Sequence, residues 1–124
     1  FVDAGRGEGV IDRLRQLGYR VTEVNFGGKP LNEMMANKRT EMWLGLAEWI
    51  KQGGAIPDNE ELISDICTPT YNHANATGKM MLEPKDKIKE RGLPSPDVGD
   101  ALALTFAMPV RRRNNTSFAP SIVI

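Results

Sequence analysis

The sequence predicts an α/β fold. Three observations carry that reading. An apolar start, Phe1-Val2-Asp3, runs into a glycine-rich turn and then into a helical period. A second stretch, Arg20 to Phe26, alternates and is rich in Val and Thr, as a strand should be. From residue 37 onward helical patterns dominate, broken by one short hairpin. A strand, a helix and a strand joined by short links form a βαβ unit, whose strands run parallel with a right-handed crossover. At 124 residues the chain has room for one domain at most.

The elements follow in order. After Ala4-Gly5-Arg6-Gly7-Glu8-Gly9, the residues Val10, Ile11, Leu14 and Leu17 recur at helical spacing, and Gly18 stops the helix. Val21, Val24 and Phe26 suit the second strand. Gly27-Gly28-Lys29-Pro30 then opens a loop. A long helix is predicted from about Asn37 to Gln52, with Met42, Trp43, Leu46, Trp49 and Ile50 on one face and Gly53-Gly54 at its end. Asp58 is the expected cap of a helix about two turns long, with Leu62, Ile63 and Ile66 facing inwards. Pro69 to Asn75 and Lys79 to Leu82 flank Ala76-Thr77-Gly78 as a hairpin. Pro84 to Arg91 reads as a short charged helix closed by Gly92. The last helix follows Ser95, and the stretch from Pro109 on has no clear period and reads as a mobile or partner-bound tail.

Composition excludes more than it selects. Sixteen basic residues balance 16 acidic ones, so net charge does not point to any partner. The single cysteine, Cys67, rules out an internal disulfide and a cysteine-rich zinc site. With His73 as the only histidine, histidine-dominated metal sites and serine–histidine nucleophiles are poorly supplied. No apolar run approaches the ~18 residues of a membrane span, and no signal-peptide pattern appears. A soluble, intracellular chain is expected, and its opening inside a strand without an initiator methionine reads as a piece of a longer protein.

The chemistry-bearing stretch is Ser95-Pro96-Asp97-Val98-Gly99-Asp100-Ala101-Leu102-Ala103-Leu104-Thr105-Phe106. Ser95 can cap the helix and Pro96 suits its first position. Asp97 and Asp100, three apart, lie on one face near the positive end of the helix. Two acids at a helix start are common decoration, but paired carboxylates also suit a hard divalent cation. Such a site needs a third acid from elsewhere. Asp3 fits, because an acid at the carboxyl end of a parallel strand points into the crevice where α/β sheets keep their sites. The alternative for Asp3 is a hydrogen bond to the amides of its own turn.

The remaining candidates divide. Gly5-x-Gly7-x-Gly9 does not match the dinucleotide fingerprint, and no acid ends the second strand, so a tight backbone turn is the plainer explanation. Lys79, Lys85, Lys87, Lys89 and Arg91 are interleaved with Glu83, Asp86 and Glu90, as on a solvated face. Beside a carboxylate metal site, Lys79 and Lys85 could instead hold a phosphate backbone, and Arg39 is open to both readings. His73 and Cys67 read as structural residues, and Trp43 and Trp49 as core.

Four stretches, taken in order, resemble the nuclease domain of the large terminase subunit of tailed bacteriophages. They are Val2-Asp3-Ala4-Gly5-Arg6-Gly7-Glu8-Gly9-Val10; Val21-Thr22-Glu23-Val24-Asn25-Phe26-Gly27; Asn37-Lys38-Arg39-Thr40-Glu41-Met42-Trp43 leading to Gly54-Ala55-Ile56-Pro57; and Leu82-Glu83-Pro84-Lys85 leading to Ser95-Pro96-Asp97-Val98-Gly99-Asp100-Ala101-Leu102. The resemblance implies an RNase H-like nuclease fold lacking its N-terminal strands, with residues 1–108 as the carboxyl-terminal part of that domain and 109–124 as the tail. It implies a two-metal site for Mg²⁺ or Mn²⁺ held by Asp3, Asp97 and Asp100, with Asp100 either a ligand or an outer partner. Lys79, Lys85 and Arg39 would then hold DNA.

The implied activity is metal-dependent endonucleolytic cleavage of concatemeric double-stranded viral DNA in the host cytoplasm. The terminase small subunit and the portal protein are the implied partners in the full assembly. The family's first-strand Asp would lie upstream of Phe1, so the fragment alone is expected to be weak or inactive. It is also expected to self-associate through the open edge of Phe1-Val2-Asp3 or the apolar Ser121-Ile122-Val123-Ile124. Two rival readings stand beside this one: a nucleotide-binding βαβ domain, and a non-catalytic DNA- or protein-docking fragment.

Overall fold

The computed structural model describes residues 1–5, 7–74 and 76–110. The predicted βαβ unit is present, with β1 (Val2–Asp3), α1 (Glu8–Gln16) and β2 (Glu23–Val24). The two strands pair in parallel, Val2 opposite Glu23 and Asp3 opposite Val24. The second strand is shorter than its alternating pattern, because β1 offers only two residues to pair with. Ile11 is the buried anchor of α1, whereas Val10 and Leu17 are exposed.

Helix α2 (Lys38–Lys51) begins where Asn37 caps it, its side chain accepting the Thr40 amide. Thr40 is fully buried. Its hydroxyl donates to Asn37 Oδ1 and accepts the Leu82 amide, which ties the start of α2 to the end of strand β4 (Met80–Leu82). Strand β4 pairs antiparallel with β3 (Tyr71–His73) and is flanked on the loop side by a parallel bridge from Met35.

Between these lies α3 (Glu60–Cys67), and here the cap differs from the expectation. Asn59, not Asp58, accepts the Leu62 amide. Leu62 is buried and Ile66 packs on the core, but Ile63 is exposed. The inward face of α3 is instead completed by an acid, Asp65.

After α4 (Lys85–Glu90) comes α5 (Asp97–Leu104). Its start also departs from the sequence reading. Pro96 occupies the capping position, and Ser95 turns its hydroxyl to the Asp97 carboxylate rather than to the helix amides. Helices α2 and α5 pack together over a core of Val24, Met42, Trp43, Leu46, Leu82, Ala103 and Ala107. Trp43 belongs to it, but Trp49 lies at its margin, 38% exposed, with its ring against Phe106. Residues 111–124, which include the basic and apolar parts of the expected tail, lie outside the described residues. Among the described residues no helix is long and apolar enough to cross a membrane.

Candidate functional site

Parallel strands end together, and the carboxyl ends of β1 and β2 open onto a cleft of about 760 Å³. Asp3, Asn25 and Phe26 border it from the strands, and Arg39, Lys85 and Asp97 from the helices. An adjoining recess is lined by Asp3, Lys85, Asp97 and Asp100. All three acids expected at the site therefore face one region, although their surroundings differ.

Asp3 accepts the Gly5 amide through Oδ1 at 3.0 Å, the turn contact weighed for it in the sequence. Its Oδ2 accepts no hydrogen bond among the described residues. The glycines serve the same turn. A Cβ at Gly7 would fall on the Asp3 carbonyl and stand 2.9 Å from Val2 Cγ1, so the backbone passes where no side chain fits.

Asp97 is the open acid, with its side chain 73% exposed. Its Oδ1 accepts both Lys85 Nζ at 3.0 Å and the Ser95 hydroxyl at 2.9 Å, leaving Oδ2 without a partner among the described residues. The Lys85 ammonium, and after it the Ser95 hydroxyl, hold this carboxyl below its ordinary range.

Asp100 is the closed acid, 4% exposed. Its Oδ1 accepts Arg39 Nε at 2.9 Å and Trp43 Nε1 at 2.7 Å. Its Oδ2 faces Lys85 Nζ at 2.7 Å as a charge pair, off the direction of an aligned hydrogen bond. Lys85 thus stands between two carboxylates. Burial pulls the lysine's pKa down, but Asp100 and Asp97 outweigh it and hold the ammonium above its ordinary value.

Arg39 borders the cleft but is largely turned inward. It is 8% exposed, its Nη1 donates to the Glu83 carbonyl at 2.8 Å, and its guanidinium lies over the Trp43 ring. Its Nη2 is buried without a partner among the described residues. The physical reason is proximity: a guanidinium beside a buried carboxylate is held inward by charge-assisted hydrogen bonds. Lys79 sits in the β3–β4 turn, where its amide donates to the Thr77 hydroxyl, and is not among the residues lining the cleft. Of the expected DNA-holding residues, only Lys85 is both exposed and beside the acids, with Lys89 next to it in the wall.

Sequence reasoning missed Asn25 and Phe26 in the cleft wall, Trp43 as a donor to Asp100, and Asp65. Asp65, from α3, accepts the amides of Val98 and Gly99 at the start of α5 at 2.9 and 3.0 Å. Its signal was present, because Leu62, Asp65 and Ile66 share one helical face, and an acid on an apolar face needs a partner.

No protein-family model matches the sequence, and no curated protein matches it either. Solved structures do. The nuclease domain of the large terminase subunit gp2 of bacterial virus Sf6 superposes with a TM-score of 0.66 at 20% identity, over 87% of this chain and 64% of that one. The fold is that of the terminase nuclease domain. A mutant of the Sf6 domain with manganese matches with a TM-score of 0.67 at 20% identity, over 86% of this chain and 64% of that one. A mutant with calcium matches with a TM-score of 0.66 at 19% identity, over 86% of this chain and 63% of that one. The chain therefore has an α/β, RNase H-like fold and spans a little under two thirds of the length of the domains it matches.

The donor set can be tested against a divalent ion. Among the described residues, no three His, Cys, Asp or Glu side chains form a metal-binding group. Two carboxylates, Asp3 and Asp97, line the same cleft, each with one oxygen that has no partner among the described residues, while Asp100 is committed to Arg39, Trp43 and Lys85. Mg²⁺ is commonly held by one or two carboxylates, with water and phosphate oxygens completing its octahedron. By donor chemistry the two carboxylates suit one such ion. A two-metal site needs further donors.

Proposed function

We propose that this chain is the carboxyl-terminal part of a terminase-like nuclease that hydrolyses phosphodiester bonds of double-stranded DNA with divalent metal. The observation that carries the reading is the convergence of Asp3 and Asp97 on one cleft, in a chain with the terminase nuclease fold. The Sf6 neighbours with manganese and with calcium support it. Asp3 and Asp97 are the residues that would hold Mg²⁺ or Mn²⁺. Asp100 acts from behind them, by anchoring α5 to α2. When bound, the metal supplies activation of water and charge stabilisation at the scissile phosphate. Lys85 neutralises the acids in its absence and, with Lys89, offers cations to a phosphate backbone at the cleft mouth.

Residues 1–108 form the nuclease part in this reading and the remainder a tail. The full protein would act in the host cytoplasm, together with the terminase small subunit and the portal protein. The chain alone is expected to cut weakly or not at all and to self-associate.

The test is calorimetric titration with Mn²⁺. Wild type should bind, Asp97→Asn should bind at least about tenfold more weakly through loss of a ligand, and Asp12→Asn, on an exposed face of α1, should match wild type. Equal affinity in Asp97→Asn and Asp12→Asn would sink the site. A thermal shift with nucleotide but none with Mn²⁺ would favour the nucleotide-binding alternative, and DNA binding indifferent to metal the docking one.

A further inference from the structure

We propose that Asp65 is the positioning residue of the acidic cleft: from α3 it caps the start of α5 and fixes where Asp97 and Asp100 stand. The functional half of this inference rests on the metal-nuclease reading above. The structural half does not.

Helix α5 has no cap of its own. Pro96 holds the capping position and has no side-chain acceptor, and the nearest hydroxyl, Ser95, is turned to Asp97. The Asp97 amide bonds the Ser95 carbonyl and the Asp100 amide bonds the Pro96 carbonyl. Val98 and Gly99 are left as the free donors that every helix start carries. Both donate to a single oxygen, Asp65 Oδ2, across a sequence gap of 33 and 34 residues. Asp65 is 7% exposed, and its charge-assisted bonds, buried to Gly99 and part-buried to Val98, lie at the positive end of the helix.

The two capped amides lie directly between Asp97 and Asp100 in the chain. A first turn that frays at Val98 and Gly99 carries Asp97 with it. Position is set from a second side as well. A Cβ on Gly99 would stand 2.8 Å from Trp43 Cη2 and 3.2 Å from Asp65 Cβ, so the helix backbone is wedged between α2 and α3. Trp43 is also a donor to Asp100. The same three-way junction therefore sets the backbone before one acid and the carboxylate of the other.

The experiment uses the full chain with Asp65→Ala, Asp65→Asn and, as a packing control on the same helix, Leu62→Ala. Amide hydrogen exchange at Val98 and Gly99 is measured by NMR, and Mn²⁺ affinity by titration. Asp65→Ala should exchange about tenfold faster at these two amides than wild type, beyond any global change. It should also bind Mn²⁺ about tenfold more weakly, as loss of an outer partner of metal ligands does. Asp65→Asn keeps an acceptor oxygen and should restore most of both. Leu62→Ala should lower the melting temperature with neither effect in the folded protein.

Wild-type protection or wild-type Mn²⁺ affinity in folded Asp65→Ala overturns the proposal. If that variant does not fold, Asp65→Asn decides: unprotected amides with unchanged affinity overturn it, and retained protection with retained affinity supports it. Absence of Mn²⁺ binding in wild type sinks the metal-nuclease reading and with it the functional half, while the exchange measurement still decides the cap.

Discussion

Asp100 and Arg39 have almost no solvent to fall back on. Their side chains are 5% and 10% exposed; Asp100 is the carboxylate that pairs with Arg39 among the described residues, while Asp100 also faces Lys85. Removing one partner of such a pair strands the other. Asp100→Ala should therefore destabilise the fold by about 3–5 kcal/mol, the range for breaking a buried pair. Asp100→Asn keeps an oxygen for Trp43 Nε1 and should cost less. Urea unfolding followed by tryptophan fluorescence reads both, and equal losses would mean that the charge, not the hydrogen bonding, dominates. Glu83 shows a different electrostatic behaviour. The Thr70 amide, and then Arg91, hold its carboxyl below the ordinary 4.5. A depressed carboxylate stabilises the fold above its unfolded pKa, and that stabilisation is lost as pH falls through the folded value. Wild type should thus exceed Glu83→Gln in stability at neutral pH, with the gap closing below about pH 4.5. A gap that persists at low pH would show that the carboxylate is not its source.

At the scale of elements, the two tryptophans of α2 separate. Trp43 is 6% exposed and Trp43→Ala should destabilise by about 3–5 kcal/mol. Trp49 keeps more than a third of its surface in water, so Trp49→Ala should lose about 1–2 kcal/mol. Thermal melts of the two variants check the order. The long helix was legible because Asn37 and Gly53 punctuate it at both ends. The hairpin was legible from Ala76-Thr77-Gly78, where Gly78 has a positive φ of 66°. Asp3, Asp97 and Asp100 were legible as acids at element ends, a local property. The hydrogen bonds of Asp65 to Val98 and Gly99, and of Arg39 and Trp43 to Asp100, were not, because each spans 33 or more residues and only packing chooses it. The choice of Asn59 over Asp58 belongs to the same class. Both residue types cap helices, and the backbone angles of the folded loop decide between them.

At the scale of the molecule, β1 has one strand neighbour among the described residues, β2, so one row of its backbone donors and acceptors is open. Val10 and Leu17 of α1 are exposed nearby in sequence, as is Phe1. Open strand edges and apolar surface favour association. Light scattering of the chain should show dimers or larger species that grow with concentration, and a monodisperse monomer at high concentration would argue decisively against it. The apolar Ser121–Ile124 stretch, the other candidate for that pairing, lies outside the described residues.

The two hydrogen bonds on Asp100 Oδ1 also bear on time. They join positions 61 and 57 residues apart, in a chain of 124. Closing a loop of that length must precede any reward from the contact, which makes such pairings slow compared with a helix turn or a hairpin. Helix α5, only eight residues long, is too short to persist without its neighbours. Its acids reach their places only when the two halves of the chain meet, so a nascent or partly opened molecule carries the carboxylates without the geometry. Any activity this cleft has is thereby confined to the finished fold.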